Sequence, residues 1–278
     1  MDVRGLPLAA VAAMHHDIRT MADQRLLDKV CLVTGSTQGI GQAIAELFAE
    51  HGGKVIVTGR NQARGELVVK TITDAGGTSH FIACDVLDNA QIEALVQGTV
   101  DTYGGLDVVV NNAAAVDLAH LPDSDVAGIS LERWHEQMQV NLHSVYYINH
   151  LAVPYLKLRG GGAIVNVSSV GGHIAWPNSA PYLTTKGAIN QMTRSMAVDY
   201  MKDNIRVNAL CPGWIMTPTE AARVEKEPDL TLEQCERMGI ERLGEPREMA
   251  YVALFLACDE SSYVTGTLML ADGGWTLR

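Results

Sequence analysis

Short apolar bursts alternate with longer stretches of helical spacing along most of this chain. Val30 to Thr34, Val55 to Thr58, His80 to Cys84, Leu106 to Val110, Ala163 to Val167, Ile205 to Leu210 and Thr267 to Leu270 are rich in Val, Ile and Leu and read as buried strands. The intervening periodicity predicts helices over Ile40 to His51, Gln62 to Ala75, Ala90 to Tyr103, Leu131 to Leu158, Pro181 to Met201 and Pro246 to Cys258. In the first of these, Ile40, Ala43, Ile44, Leu47 and Phe48 form one apolar stripe. Strands that alternate with helices require right-handed crossovers, so the pattern predicts an α/β chain with a doubly wound parallel sheet of about seven strands. Ala115 to Ser130 and Thr217 to Arg242 carry neither period and are expected to be irregular loops beside a ligand.

Composition narrows the picture without changing it. The 278 residues are 47% apolar, enough for a sizeable core, and 19% charged, too few for a disordered chain. A net charge of -11 excludes a general nucleic-acid binder, because a phosphate backbone would be repelled. No apolar run approaches the roughly 20 residues of a membrane helix, so no membrane association is expected. Residues 26–278 read as one domain and residues 1–25 as an N-terminal extension, because Met21 opens a complete approach to the first strand. Leu6 to Met14 has the length of a weak signal-peptide core, but Asp2 offsets Arg4, and residues 1–20 are expected to be dispensable. Five cysteines without a Cys-x-x-Cys pair point to reduced, buried thiols and a cytoplasmic location. His135, His143 and His150 share a helix but find no metal-ligand partners at usable spacing; no metal is expected.

Candidate chemistry begins where the first strand ends. Thr34-Gly-Ser-Thr-Gln-Gly-Ile-Gly41 is a glycine-rich turn set between a strand and a helix. Backbone amides there approach a pyrophosphate only where no Cβ intervenes, and the helix N-terminus adds positive charge. Gly35, Ser36, Thr37, Gln38, Gly39, Ile40 and Gly41 are therefore expected to hold a dinucleotide, in a Rossmann-type domain. The second strand closes with Gly59 where NAD enzymes carry an acidic residue, and Arg60 follows. Nothing there repels a 2′-phosphate and a guanidinium can pair with one, which favours NADP(H) and leaves NAD(H) possible. Alternatively, Arg60 stacks on adenine or faces water. Asp85 after the third strand could cap the next helix. A mid-helix Asn141 either bonds a neighbouring helix or holds a water with its carbonyl and backbone.

From Ile164 to Gln191 a strand opens, breaks at Gly171-Gly172 and resumes as a helix. Tyr182 and Lys186 stand four apart on one helical face, with Ser169 thirteen residues before the tyrosine. A hydroxyl, a phenol and an ammonium would thus meet at the carboxyl end of the sheet, where open α/β folds bind ligands.

Taken together with Asn111-Asn112-Ala113-Ala114 and Cys211-Pro212-Gly213, these motifs resemble the short-chain dehydrogenase/reductase family from Lys29 to Gly274. Ala114 departs from the glycine usual in that family. The resemblance implies a catalytic set of Asn141, Ser169, Tyr182 and Lys186, with Asn141 completing a proton path through water to Lys186. It also places Asp85 and Val86 at adenine, Asn112 and Ala113 along the cofactor, and Pro212, Gly213, Ile215 and Thr217 near the nicotinamide carboxamide. The implied activity is NAD(P)-dependent oxidoreduction of a secondary alcohol or ketone, a small-molecule substrate, in a homotetramer contacting through the two long helices. Tyr182 would be the general acid in reduction and the base in oxidation. A free phenol has a pKa near 10, too high for an efficient base, so Lys186 and the positive ring of an oxidised cofactor are expected to lower it. Lys186 would also hold the ribose hydroxyls, and Ser169 would donate to the substrate oxygen. An NAD-dependent alcohol or sugar dehydrogenase working oxidatively, or a nucleotide sensor without turnover, is the alternative. Val170, Gly171, His173, Trp176, Trp214 and residues 217–227 are expected to line the substrate pocket, with His173 facing it but given no catalytic role.

Overall fold

The structure is a computed structural model that describes residues 24–116 and 124–277. Its centre is a seven-stranded parallel sheet of order β3-β2-β1-β4-β5-β6-β7. The strands are β1 (Val30–Val33), β2 (Lys54–Gly59), β3 (Thr78–Ala83), β4 (Val108–Asn111), β5 (Gly162–Val167), β6 (Ile205–Pro212) and β7 (Leu268–Ala271). Around them lie α1 (Gly39–Glu50), α2 (Gln62–Asp74), α3 (Asn89–Tyr103), α4 (Leu131–Met138), α5 (Ser144–Leu158), α6 (Ala180–Tyr200), α7 (Pro218–Lys226), α8 (Pro228–Met238) and α9 (Pro246–Ala257). The expected doubly wound sheet is present. All but residues 24 and 25 of the expected N-terminal extension lie outside the described residues.

Alternation along each strand sends side chains to two separate cores. Cys31, Val33, Val55 and Val57 pack with Ile44 and Phe48 of α1, Val68 and Ile72 of α2, and Leu254 of α9. Val30, Leu32 and Ile56 point the other way, onto Ile92 and Leu95 of α3, Ile148 and Leu156 of α5, and Met196 of α6. With both faces covered, the strands read as continuous apolar runs, which is why they stood out from the sequence.

Two expectations change. The helix expected over Leu131 to Leu158 is broken by a wide π-turn at Gln139–His143, and Asn141 sits inside it. Thr217 to Arg242, expected to be irregular, folds into α7 and α8. Each begins with a proline in its first turn, where the missing N–H costs nothing, and Thr217 caps α7 by accepting from the Glu220 amide. Cys235, Ile240 and Leu243 bury a small third core there, against Trp214, Val224, Met238 and Trp275.

The start of β1 is held by a buried carboxylate. Asp107 accepts from the Val30 amide at 2.8 Å and from Arg159 Nε at 2.9 Å. Removing it leaves a buried N–H without a partner and a guanidinium without its anion. Asp107→Ala is expected to cost about 2–3 kcal/mol and lower the Tm by roughly 5–10 °C, while Asp107→Asn costs less because an acceptor for Val30 survives. Thermal and urea unfolding of the two variants check this.

Candidate active site

The order β1 next to β4 places two strand ends side by side, and crossovers diverge from that point to opposite faces. Gly35 and Gly39 adopt φ of 62° and 59°, the left-handed region that glycine enters without strain. A Cβ on Gly41 would lie 2.4 Å from the Gly35 carbonyl oxygen, so the first turn of α1 can press against the loop only without a side chain there. Asn112 Nδ2 donates to the carbonyls of Thr34 and Gly35 at 3.0 and 3.1 Å, tying the turn to the end of β4. Ser36 Oγ donates to the Val33 carbonyl and accepts from the Thr58 amide, tying it to β2. Gln38 heads α1 without a side-chain cap, leaving its first amides available to an anion.

A cleft of about 840 Å³ runs from this turn over the carboxyl end of the sheet. Gly35, Thr37, Gln38, Gly39 and Ile40 line one stretch of it, with Asn112 and Ala113 beside them. Ser36 and Gly41, expected to touch the ligand, do not line it: Ser36 is fully buried in the bonds just described, and Gly41 is pressed against Gly35. Arg60, Asp85 and Val86 form another stretch. A Cβ on Gly59 would fall 2.8 Å from Thr37 Cγ2, so a side chain at that position would require Thr37 to turn aside. Arg64 donates to Gln38 Oε1 at 2.7 Å. Arg60 is exposed on the cleft and engages no hydrogen bond or ion pair among the described residues. Asp88, and not Asp85, caps α3, accepting from the Ala90 amide at 2.9 Å. This stretch of the cleft therefore combines glycines at close backbone approaches with an exposed, unengaged guanidinium.

Past β5, Ser169 Oγ accepts from the Gly171 amide at 3.0 Å and lines the cleft together with Tyr182. Tyr182 and Lys186 occupy successive turns of α6 and both line the cleft. The Lys186 ammonium, buried, donates to the Val167 carbonyl at 2.9 Å and stands 5.6 Å from the centre of the Tyr182 ring. Pro212, Gly213, Ile215 and Thr217 complete this end.

The electrostatics depart from the sequence-based expectation. Burial raises the Tyr182 phenol above its ordinary 10, and the opposing influence is the Ser169 hydroxyl. Burial pushes Lys186 down from 10.5 to about 8, with Cys211 partly opposing. The ammonium spends its hydrogen bond on Val167 and is itself desolvated, so the protein alone does not make the phenol acidic.

Asn141 takes the first of its two expected courses and bonds a neighbouring helix. Its side chain is fully buried, does not line the cleft, and bridges two elements. Oδ1 accepts from the Ala115 amide at 2.8 Å and Nδ2 donates to Thr185 Oγ1 at 3.4 Å, while Thr185 donates to the Tyr182 carbonyl at 2.7 Å. Gln137, four residues earlier on the same face, donates to the Ala115 carbonyl at 3.1 Å. Spacing from Asn141 was the one signal that could have found Gln137. Thr217, expected to offer its hydroxyl to a carboxamide, also accepts from the Glu220 amide at 3.4 Å.

Opposite the dinucleotide half, the wall is Val170, Ile174, Trp176, Trp214 and Trp275, with Arg223, Gln234, Arg237 and Met238 from α7 and α8. Trp176 stacks on Trp275 at 5.6 Å between ring centres and tilts against Tyr182 at 6.5 Å. Gly171 and His173 were expected on this wall; neither lines it, and His173 faces solvent. Trp275, Gln234, Arg237 and Met238 were missed, three of them because their segment carries no clear helical period. All five cysteines are free and buried. Among the described residues no group of three or more potential ligands could hold a metal, and no helix is long and apolar enough to cross a membrane.

Comparison with known proteins agrees with this geometry. A family model described as enoyl-(acyl carrier protein) reductase matches residues 35–276. An uncharacterized oxidoreductase of Thermotoga maritima is 40% identical over 89% of this chain and 97% of its own length. The 3-oxoacyl-(acyl-carrier-protein) reductase FabG of the same organism is 38% identical over 90% of this chain and 98% of its own. A gluconate 5-dehydrogenase from Burkholderia cenocepacia, solved in complex with NADP and tartrate, superposes with a TM-score of 0.84 at 30% identity over 93% of this chain and 99% of that one. A 7α-hydroxysteroid dehydrogenase complexed with NADH and 7-oxo glycochenodeoxycholic acid gives 0.83 at 29% identity, over 91% and 96%.

The buried ammonium has a consequence for stability. A lysine whose folded pKa is about 8 against 10.5 when free binds fewer protons folded than unfolded between those values, so its contribution to stability rises with pH across that window. Relative to Lys186→Met, in which other titrations cancel, the wild-type unfolding free energy should gain roughly 2–3 kcal/mol from pH 8 to pH 10. Urea denaturation of both proteins at several pH values measures it; a flat difference would show that the ammonium is not desolvated.

Proposed function

Because the chain belongs to the short-chain dehydrogenase/reductase family, we propose that it interconverts a secondary alcohol and a ketone with NADP(H) as the favoured cofactor and Tyr182 as the acid–base residue. It is an oxidoreductase acting on CH–OH and C=O groups with a nicotinamide nucleotide. The observation that carries the finer reading is Tyr182 with the Lys186 ammonium 5.6 Å from its ring centre, both lining with Ser169 a cleft that also reaches the glycine turn.

A bound nicotinamide nucleotide supplies or accepts the hydride. Gly35, Thr37, Gln38, Gly39 and Ile40 would hold its phosphates, Asp85 and Val86 its adenine, and Pro212, Gly213, Ile215 and Thr217 its carboxamide end. In reduction the Tyr182 phenol gives its proton to the substrate oxygen, and in oxidation the phenolate takes one back. Ser169 Oγ donates to that oxygen and fixes its distance from the phenol. Lys186, protonated at neutral pH, places a positive charge one helical turn from the phenol and favours its ionised form as the proton leaves. Asn141 and Gln137 act at one remove: by gripping both polar groups of Ala115 they hold the loop after β4 against the start of α6. No carboxylate stands at Gly59 and Arg60 is unengaged among the described residues, which supports the 2′-phosphate. A homotetramer joined through α5 and α6 is supported by the exposed Tyr146, Leu158, Val198 and Met201 on those helices and their ends. Five free thiols support a reducing, cytoplasmic setting.

Tyr182→Phe should lower kcat by roughly 10²–10⁴-fold and leave the Kd for NADPH nearly unchanged, as read by steady-state turnover and nucleotide fluorescence titration. A variant retaining most of its rate would refute the role of Tyr182. Arg60→Ala should weaken NADPH binding by about 10–100-fold and NADH binding far less, and equal losses would refute the cofactor preference.

A further inference from the structure

Charges on the substrate half of the cleft divide by whether they are already engaged. Glu220 on α7 is occupied: its carboxylate accepts from Trp214 Nε1 at 2.8 Å and lies 3.8 Å from the Arg223 guanidinium. Arg223 is partly occupied, lying 5.7 Å from the centre of the Trp214 ring and donating to Gln234 Oε1 at 3.4 Å. Arg237, in the last turn of α8, lines the same wall and has no hydrogen bond or ion pair among the described residues. The other unengaged charge on this half is Glu136, on α4, and no ion pair joins it to Arg237. Helices α7 and α8 therefore present to the cleft one unengaged guanidinium, Arg237, and one partly engaged, Arg223, in a chain whose net charge is -11.

The same cleft carries an aromatic surface. Trp176 and Trp275 stack on one another next to Tyr182, and Met238 follows Arg237 on α8. A stacked indole pair suits a ring, and a single planar guanidinium fork suits a carboxylate. Charge steering by the whole molecule would repel an anion, so an anionic substrate needs such a local cation.

We propose that the substrate is an amphipathic oxo acid or its alcohol, carrying its carboxylate on Arg237, assisted by Arg223, and its ring-bearing body against Trp176 and Trp275. The proposal rests on the reading of Tyr182 as the acid–base residue and names the substrate class of that same site. In reduction the carbonyl carbon gains hydride from NADPH, its oxygen gains the Tyr182 proton, and NADP⁺ leaves; the carboxylate is a spectator that orients the chain.

The test uses the full-length protein with NADPH and three aryl keto acids, 4-oxo-4-phenylbutanoate, 5-oxo-5-phenylpentanoate and 6-oxo-6-phenylhexanoate, each beside its methyl ester. For at least one length the acid should exceed its ester in kcat/KM by about tenfold, with the advantage in KM and shrinking as salt rises. Arg237→Gln should lower kcat/KM for that acid about tenfold more than for its ester, and Arg237→Lys should restore part of the loss. Esters matching acids at every length, or Arg237→Gln lowering both alike, would overturn the carboxylate assignment while leaving ketone reduction intact. Absence of turnover with every probe, acids and esters alike, would instead overturn the ketone-site reading and this proposal with it.

Discussion

The interior of this protein is organised around a buried ammonium. Lys186 reaches the Val167 carbonyl at the end of β5, while the Ser168 hydroxyl donates to the Lys186 carbonyl from the neighbouring turn. These two bonds lock the first turns of α6 onto the strand that delivers Ser169, so serine and tyrosine face one cleft from elements tied to each other. The ammonium is kept there at a desolvation cost that its bond to the Val167 carbonyl partly offsets. Asn111 donates to Asn149 and Asn166, and Asn166 to Thr193, forming a buried ladder between β4, β5, α5 and α6. A polar seam thus runs through an otherwise apolar face and fixes one orientation of α6 against the sheet.

The glycine turn and the Ser169–Tyr182 pair solve different problems with the same sheet. At the turn, side chains are removed so that backbone can approach a ligand, and Asn112 and Ser36 hold the exposed loop from behind. At the pair, a buried serine and a half-buried tyrosine are brought to one stretch of the cleft. Both lie at strand ends on one side of the sheet, so a long ligand spanning the cleft contacts both.

Much of this was readable before any coordinates. Strands buried on both faces carry unbroken apolar runs, and the glycine turn, Ser169, Tyr182 and Lys186 are all anchored to such runs by short spacings. Errors and open alternatives arose where the determining neighbour is distant in sequence. Whether Ser36 points into the cleft or behind it depends on β2, and the course of Asn141 depends on Ala115 and Thr185. The upward shift of the Tyr182 phenol follows from burial, which no motif records. Helices α7 and α8 escaped notice because their prolines look like breaks and their apolar residues are too few to mark a face.

Those two helices have their own small core, built from Cys235, Ile240, Leu243 and their neighbours and separate from the two that flank the sheet. Gly239, in a left-handed conformation, ends α8, and the chain then returns to the sheet layer through Gly244. Their separation from the cradle is not complete, because a Cβ on Gly39 would lie 3.4 Å from Thr217, the cap of α7: a substitution that shifts the head of α7 is felt at the glycine turn.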